Sequence, residues 1–315
     1  MINKKTDSFT LIEILVVIVV IGILSSFIFV GLNSISGSAT TAKTQAWANS
    51  LKNAGLLNIV SEYKFEGTTA NGVAAAEGDV LDSWGTNHGI IAVAPPNVQT
   101  GSCALGKCLN FLGGADFVRI ADSTTLVMGT KMSAFVWVKG ISTGNADKGL
   151  FAHYDETSNE RSWAIATSVS DGTKLRVAIS EDGDTSPYKS YESAEIILDN
   201  KWHYVGFTYT VNTLNIYLDA LNVTTAASKT DTLTMTTLND SASSASIGSF
   251  TNVAALAKGF TGFIDDAIIF SEAISTSEVQ RQYFSGLNSL LAKGEITNEE
   301  YNQRISVLSD SLGSK

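Results

Sequence analysis

The feature that most constrains this chain is an almost wholly apolar run, FTLIEILVVIVVIGILSSFIFVGL, at residues 9–32. A helix rises about 1.5 Å per residue, so a helix over this run is long enough to cross a hydrocarbon core about 30 Å thick. A core helix of a soluble domain keeps a polar face, whereas no polar residue follows Glu13 here until Ser25. The run therefore predicts a transmembrane anchor.

One acid, Glu13, interrupts the run, and a short leader with Lys4 and Lys5 precedes it. The lysines favour a cytoplasmic N-terminus, and no small-residue secretory cleavage site follows the run. A carboxylate in hydrocarbon costs about 2.5–3.5 kcal/mol, so Glu13 needs a cationic partner. Cleavage between Ser8 and Phe9 would create such a partner, because the new α-amino group is positively charged.

The leader and the segment SFTLIE before the apolar run resemble the class III signal of type IV pilins and of type II secretion pseudopilins. The resemblance implies that prepilin peptidase cuts after Ser8 and N-methylates Phe9. It also implies that Glu13 pairs with the free amine of a neighbouring subunit in a filament. The chain departs from the family at Ser8, where Gly is usual, although small residues are tolerated. The alternative is a signal anchor in which Glu13 is incidental.

The overall charge limits the classes of partner. The chain has 31 acidic and 21 basic residues, and its formal net charge is −10. Nucleic acids and anionic lipids need a basic surface, so neither is expected as the main partner. With 315 residues, of which 44% are hydrophobic and 17% charged, the chain has room for one large domain or two ordinary ones.

The two cysteines, Cys103 and Cys108, lie close together in GSCALGKC. On the exported side of an anchor, such a pair is expected to form a disulfide that closes a small loop. In the chain-entropy model a short loop of this kind stabilises the fold by about 2–3 kcal/mol. Two isolated thiols lack the other ligands of a metal site, and redox catalysis favours Cys-x-x-Cys. We therefore predict a structural disulfide.

From Ile59 onward the pattern becomes strand-like. Short apolar runs recur about every 8–15 residues between turn residues, which is typical of an all-β sandwich or barrel. In KLRVAIS, Leu175, Val177 and Ile179 alternate with residues such as Arg176, which predicts a strand with one buried face. Strands do not alternate with helices, so an α/β fold is not expected.

A second resemblance covers roughly residues 58–283, where the chain looks like a laminin-G-like, concanavalin-A-like jelly roll. It departs from that family at Ala220, where a turn glycine is usual. The segments that carry the resemblance are GKCLNFLG, FV at 117–118, FVWVK, KWHYV, LNIYLD, IGS, GFIDDA and AISTSEV. The resemblance implies a domain that binds glycans or proteins through loops at one rim, often with calcium.

The sequence therefore divides into four parts. Residues 1–8 are a leader, residues 9–58 a pilin-type helix with residues 9–32 transmembrane, and residues 59–275 the jelly roll. Residues 276–315 are expected to form a short helical hairpin, because two capping boxes precede apolar residues at helical spacing. The hairpin is expected either to act in oligomerisation or to pack on the sandwich or on the N-terminal helix. The fold class is mainly β.

By resemblance, a calcium site would draw on Glu66, Asp82, Asn87 and Asp265. Calcium needs several oxygen ligands at about 2.3–2.6 Å. Asp265 follows Phe263 and Ile264 in an expected buried strand, where an acid needs a partner. That partner is either calcium, or a backbone group or arginine, and the sequence leaves both open. Calcium is the one cofactor that the resemblance suggests.

Aromatic side chains on a rim could stack on sugar rings. Trp84, in the loop DSWGTNHG, and Tyr188 and Tyr191, in SPYKSY, are the candidates. Tryptophans within strands are more often packed in a core, so the remaining strand tryptophans are assigned to the interior. These are Trp137, Trp163 and Trp202.

An enzymatic function is not expected. Jelly-roll glycosidases place a nucleophile and an acid on one strand face with Glu-x-Asp-x-x-Glu, and that spacing is missing here. His88, His153 and His203 are scattered along the sequence without a nucleophile-and-acid set. The sequence also contains no phosphate loop and no HExxH.

These features together predict a pilin-like subunit that prepilin peptidase processes and the pilus machinery assembles with other subunits. Before assembly it lies in the cell membrane with a cytoplasmic N-terminus and an exported head, and afterwards in a surface filament. The head would serve adhesion by binding glycans or surface proteins. The alternatives are a minor pseudopilin of a secretion system, or a structural filament subunit whose head binds nothing.

Overall fold

A computed structural model describes residues 58–91, 94–144, 146–156, 158–184, 188–229, 233–250 and 258–313. The leader, the cleavage site, Glu13 and the expected transmembrane run lie outside these residues. Within the described part of the chain, no helix combines the length and the apolar character needed to span a bilayer. The described residues form a β-rich head and the two helices that follow it.

Sixteen strands within the described residues form two antiparallel sheets. The first sheet contains β1, β3, β4, β6, β11, β12, β13 and β16, and the second contains the other eight. Their bounds are β1 Ile59–Tyr63, β2 Gly89–Ile91, β3 Asn97–Gln99, β4 Cys108–Leu112, β5 Val118–Ile120, β6 Lys131–Lys139, β7 Gly149–Asp155, β8 Glu160–Thr167, β9 Lys174–Ile179, β10 Lys189–Ile196, β11 His203–Thr210, β12 Thr213–Leu218, β13 Leu221–Asn222, β14 Ser228–Lys229, β15 Ala245–Ile247 and β16 Thr261–Phe270. This arrangement confirms the predicted mainly β sandwich.

The last strand, β16, has a junction that organises the candidate site. Along one edge β16 pairs with β6. Along its other edge it pairs first with β4, as far as Ile264, which lies opposite Leu109. From Ala267, which lies opposite Tyr63, the same edge pairs with β1. The register with β6 shifts between Asp265 and Ile268, which marks a β-bulge. The chain leaving β1 and the chain entering β4 therefore meet beside the bulge.

The core lies between the two sheets and confirms the alternation predicted for β9. Leu175, Val177 and Ile179 belong to this core. The expectation of only one buried face was wrong, because Arg176 is also buried and its guanidinium lies 5.7 Å from the ring centre of Phe250. The opposite face of this sheet is thus covered by other side chains of the chain.

Two helices follow the sandwich, α1 at Thr276–Ala292 and α2 at Asn298–Gly313. Ser275 Oγ accepts a hydrogen bond from Glu278 N at 3.2 Å, so the predicted cap opens α1. The ring of Tyr283 stacks on Trp137 of β6 at 5.5 Å between ring centres.

The second helix also contacts the sandwich. Arg304 Nη1 of α2 donates to the carbonyl oxygen of Trp202 at 2.9 Å, and the hydroxyl of Tyr301 donates to Asn288 Oδ1 of α1 at 2.8 Å. At the start of the helix, Thr297 Oγ1 accepts from Glu300 N at 3.1 Å. The hairpin therefore packs on the sandwich, which was one of the two expectations for it.

Candidate ligand-binding cavity

A cavity of about 550 Å³ lies where β1, the bulge of β16 and α1 come together. Small-molecule sites commonly have volumes of about 300–1,000 Å³. The lining residues come from five segments of the chain. They are Ile59, Glu62, Lys64 and Glu66; Ser83 and Trp84; Leu105 and Gly106; Asp265 and Asp266; and Arg281, Gln282 and Ser285.

Two adjacent acids from the bulge of β16 form part of this lining. Asp265 is 0% and Asp266 8% exposed, and Asp266 has a φ of 44°, in the left-handed region that few non-glycine residues adopt. Asp265 Oδ2 accepts from Leu105 N at 2.7 Å. The Oδ1 atom of each acid is buried and has no hydrogen-bond partner among the described residues.

Burial changes the proton affinity of both acids. It raises the pKa of Asp265 well above its usual range, with a further contribution from the charge of Asp266. Burial, followed by the charge of Glu62, raises the pKa of Asp266 to about 7. Two buried carboxyl groups with unpartnered oxygens need a cation or a proton, and strongly shifted acids are often found at binding sites.

The disulfide loop forms one wall of the cavity. Cys103 and Cys108 are joined as predicted, with their Cα atoms 5.5 Å apart. Within the loop, Lys107 N donates to Glu66 Oε1 at 2.9 Å. A Cβ atom on Gly106 would lie 1.4 Å from the same oxygen, so only glycine allows this approach. The cross-link therefore holds a backbone segment against acids from two other segments.

The cavity is lined by four acidic and two basic side chains. Each of its two cationic side chains already has a carboxylate partner: Lys64 lies 2.9 Å from Glu62, and Arg281 Nε donates to both oxygens of Glu278 at 3.0 and 2.9 Å. The three other lining acids form no ion pair within the described residues. These are Glu66, Asp265 and Asp266.

Trp84 stands at the cavity in a loop that Asp82 organises. Asp82 Oδ1 accepts hydrogen bonds from Glu62 N at 3.0 Å, Trp84 N at 3.0 Å and Gly85 N at 2.9 Å. Its Oδ2 atom accepts from Asn87 N at 3.1 Å. The indole of Trp84 remains 49% exposed. The loop thus presents a large aromatic surface beside the acids.

The structure separates the four residues considered for calcium. Glu66 and Asp265 line the cavity together, and the unpartnered Oδ1 atom of Asp265 suits a hard cation. The carboxylate of Asp82 is occupied by backbone N–H groups. The amide of Asn87 donates to Ser61 Oγ at 2.8 Å and to Thr125 Oγ1 at 2.9 Å. Among the residues that the structure describes, no three carboxylate, histidine or cysteine side chains are grouped so that they could hold a metal ion.

The three aromatic candidates also fall in different places. Trp84 lines the cavity, whereas Tyr191 is 5% exposed and belongs to the core between the sheets. The hydroxyl of Tyr188 is hydrogen-bonded to Arg176, and its ring lies 6.5 Å from that of Tyr154. Of these three side chains, only Trp84 lies at the cavity.

Several cavity residues were not anticipated from the sequence. Glu62 lies in β1 and Arg281 in α1. Nothing in the sequences of these two elements indicates that the two side chains line one cavity. The sequence did contain a signal for Asp266. In a regular strand, the two consecutive acids of GFIDDAIIF would point to opposite faces, so one of them would enter the apolar core unless the strand is bulged.

The sequence matches two family models. One, described as the concanavalin A-like lectin/glucanases superfamily, matches residues 112–280, just over half of the chain. The other, the prokaryotic N-terminal methylation motif, matches residues 3–29. The chain therefore belongs to the concanavalin A-like lectin/glucanases superfamily and carries a type IV pilin signal. No curated protein matches the sequence.

Solved structures share the fold at low sequence identity. The botulinum neurotoxin serotype G binding domain is 15% identical, with a TM-score of 0.52 over 74% of this chain and 52% of that one. A structure of botulinum neurotoxin type C, whose cell entry depends on interaction with two ganglioside molecules, is 13% identical, with a TM-score of 0.52 over 74% of this chain and 52% of that one. Domain 4 of an extracellular arabinanase from Geobacillus stearothermophilus, in complex with arabinotriose, is 18% identical, with a TM-score of 0.49 over 71% and 97%.

The chain covers only about half of each toxin chain. At these identities the likeness concerns the fold alone. The pilin signal and the lectin-like domain together point to a structural or binding protein rather than to an enzyme.

Proposed function

We propose that this chain is a type IV pilin-like subunit whose head binds glycans at the cell surface. Prepilin peptidase cuts between Ser8 and Phe9 and methylates Phe9, and Glu13 then pairs with the new amine of a neighbouring subunit. The pilus machinery assembles the membrane-inserted subunits into a surface filament. The methylation motif at residues 3–29 supports this part of the proposal, because an acid within an apolar anchor needs a cationic partner.

The observation that carries glycan binding is the half-exposed indole of Trp84 on a polar cavity of about 550 Å³. Sugar rings present apolar faces that pack on aromatic side chains, and their hydroxyl groups need polar partners. Ser83 and Gln282 provide hydroxyl and amide groups there. Cell entry of one botulinum neurotoxin with this fold depends on interaction with two ganglioside molecules, and the binding domain of another is in complex with N-acetylneuraminic acid. Carbohydrate is therefore the first ligand class to test.

Calcium belongs to the same proposal. Glu66 and Asp265 would hold the ion, because both line the cavity and neither has an ion-pair partner among the described residues. Bound calcium would neutralise the buried carboxylates and fix the walls of the site. Thermal unfolding in calcium and in chelator tests this. We expect calcium, and not magnesium, to raise the melting temperature of the natural protein but not that of Asp265→Asn.

Three experiments test the main proposal. Mass spectrometry of the mature N-terminus is expected to find a chain that begins with methylated Phe9, and Glu13→Val is expected to prevent filament assembly while the head stays folded. A chain that still begins at Met1 would refute the pilin part. A glycan array with the full-length protein, with and without chelator, tests the head, and no bound glycan in either condition would favour a purely structural subunit. A minor pseudopilin would pass the first experiment and be absent from surface filaments.

A further inference from the structure

The geometry points to amino sugars with a free ammonium group as the ligands of the cavity beside Trp84. This inference rests on the proposed glycan-binding function and narrows its substrate class. Neutral sugars carry no positive group that the acids of the cavity could attract, and the negative group of an acidic sugar would be unfavourable beside these acids.

The first step is the charge of the cavity. Lys64 and Arg281 are already paired with Glu62 and Glu278. Glu66, Asp265 and Asp266 remain without an ion pair among the described residues. Lys64 attracts Glu66 and Asp266 without forming an ion pair with either, so a ligand with a positive group gains attraction from acids that no ion pair already uses.

The second step is an unpartnered buried atom. Asp266 is 8% exposed and lines the cavity, and its Oδ1 atom has no hydrogen-bond donor among the described residues. Leaving a buried acceptor unpaired is costly, so a ligand that brings N–H donors is favoured. An ammonium group brings three such donors as well as the charge.

The third step distinguishes a sugar from a bare cation. Trp84 is half exposed and lines the same cavity as the acids, and indole faces attract both the apolar side of a sugar ring and a nearby cation. Ser83, Gln282 and Ser285 add neutral polar groups to the same lining. The cavity thus combines an aromatic surface, neutral polar groups and acids that form no ion pair among the described residues. This combination matches a ring that bears both hydroxyl and ammonium groups.

The cavity should also discriminate between sugars by their charge. N-acetylation removes the charge and two of the donors from the same ring, so the acetylated sugar should bind at least about tenfold more weakly. A sugar carboxylate brings no ammonium group and adds a negative charge beside the acids, so sialic acid should bind more weakly than the amino sugar. This cavity would thus select against the acidic sugar named for one of its structural neighbours.

The test is isothermal titration of the full-length protein with chelator, because calcium on Glu66 and Asp265 would compete with an ammonium group. The protein is held in a polyoxyethylene detergent, which contains no sugar. The probes are the glucosamine tetramer, the N-acetylglucosamine tetramer, a glucose tetramer, a sialylated trisaccharide and a lysine tetrapeptide. The variants are Asp266→Asn, Glu66→Gln and Trp84→Ala, with Glu299→Gln as a control that removes an equal charge from the exposed start of α2. Since Glu66 is exposed, its variant remains informative if Asp266→Asn fails to fold.

We expect the glucosamine tetramer to bind best, each cavity variant to weaken it at least tenfold, and Glu299→Gln to bind it like the natural protein. The acetylated tetramer or the glucose tetramer could bind as tightly as the glucosamine tetramer and lose that binding in Trp84→Ala. This result would overturn the preference for an ammonium group and leave the proposed glycan binding intact. If Asp266→Asn and Glu66→Gln both keep the preference for the glucosamine tetramer, the binding site lies elsewhere and the inference is overturned. Tighter binding of the lysine peptide would identify a protein ligand instead. No binding of any sugar would refute the proposed glycan function as well.

Discussion

Lys293 Nζ, just beyond α1, donates to the carbonyl oxygen of Cys103 at 3.2 Å, although the two residues are 190 positions apart. The same ammonium donates to Gly106 O at 3.1 Å. A cation at the C-terminal end of a helix is also favoured by the helix dipole. The helix end thus holds the disulfide loop, and the loop in turn holds the backbone N–H groups that reach Asp265 and Glu66.

Removing the disulfide should loosen this arrangement. For the double variant Cys103→Ser/Cys108→Ser we expect the free energy of unfolding to fall by about 2 kcal/mol, because the open loop gains entropy in the unfolded chain. Urea unfolding of the oxidised natural protein and of the variant measures the difference. Reducing the natural protein should give the same loss, and the double variant itself should not respond to reductant. An unchanged midpoint would show that Lys293 and its partners hold the loop without the cross-link.

Local features of the chain were predictable from the sequence, because their causes lie within a few residues of each other. The alternation of Leu175, Val177 and Ile179 identifies a strand with a core face. The caps at Ser275 and Thr297 identify two helix starts. In each case the hydrogen bond or the contact pattern depends on neighbouring positions.

The cavity was not predictable in the same way. Glu62, Asp266 and Arg281 meet only because β16 exchanges one neighbour for another at its bulge and α1 folds back beside it. Asp82 shows a second limit of sequence reasoning. The resemblance gave it as a calcium ligand, and its oxygens accept hydrogen bonds from the N–H groups of Glu62, Trp84, Gly85 and Asn87.

Asp82 should therefore be a structural residue whose effect does not depend on calcium. Asp82→Ala leaves several backbone N–H groups without their acceptor, and hydrogen bonds to a charged group contribute about 1.5–3 kcal/mol each. We expect a loss of about 2–4 kcal/mol in unfolding free energy, equal in calcium and in chelator. Ser83→Ala, in the same loop, is the control and should cost less than about 1 kcal/mol. A loss seen only in calcium would return Asp82 to the metal site.

His203 predicts a pH dependence of stability. Its Nδ1 and Nε2 atoms lie 2.9 Å from Asp219 Oδ2 and 3.0 Å from Asp199 Oδ1, and Arg304 lies 3.9 Å from Asp219. Burial disfavours the charged ring, but the two carboxylates outweigh burial and raise the pKa of His203 to about 9. Both ring nitrogens therefore donate at neutral pH.

Because the folded pKa exceeds the unfolded value of about 6.5, the stabilisation is complete below about pH 6.5 and is lost as the pH rises through 9. The loss is at most on the order of 3 kcal/mol. Urea unfolding at pH 6, 7.5 and 9.5 should show this decline in the natural protein and a flatter profile in His203→Gln. The exposed His88 supplies the control, since His88→Gln should keep the natural slope. Parallel profiles for the natural protein and His203→Gln would contradict the assignment.

Gly286 of α1 lies in close contact with Trp137 of the sandwich. A Cβ atom there would lie 2.2 Å from Trp137 Cζ2 and 2.5 Å from Cε2, and Trp137 is fully buried, so its ring cannot move into solvent. Alanine improves helix propensity by up to about 1 kcal/mol, but overpacking costs about 1–3 kcal/mol. We therefore expect Gly286→Ala to lower the unfolding free energy and to shift tryptophan fluorescence. Gly101→Ala, where no atom lies within 4 Å of the new Cβ, should leave both unchanged; a stabilised Gly286→Ala would mean that α1 can move away from the sheet at little cost.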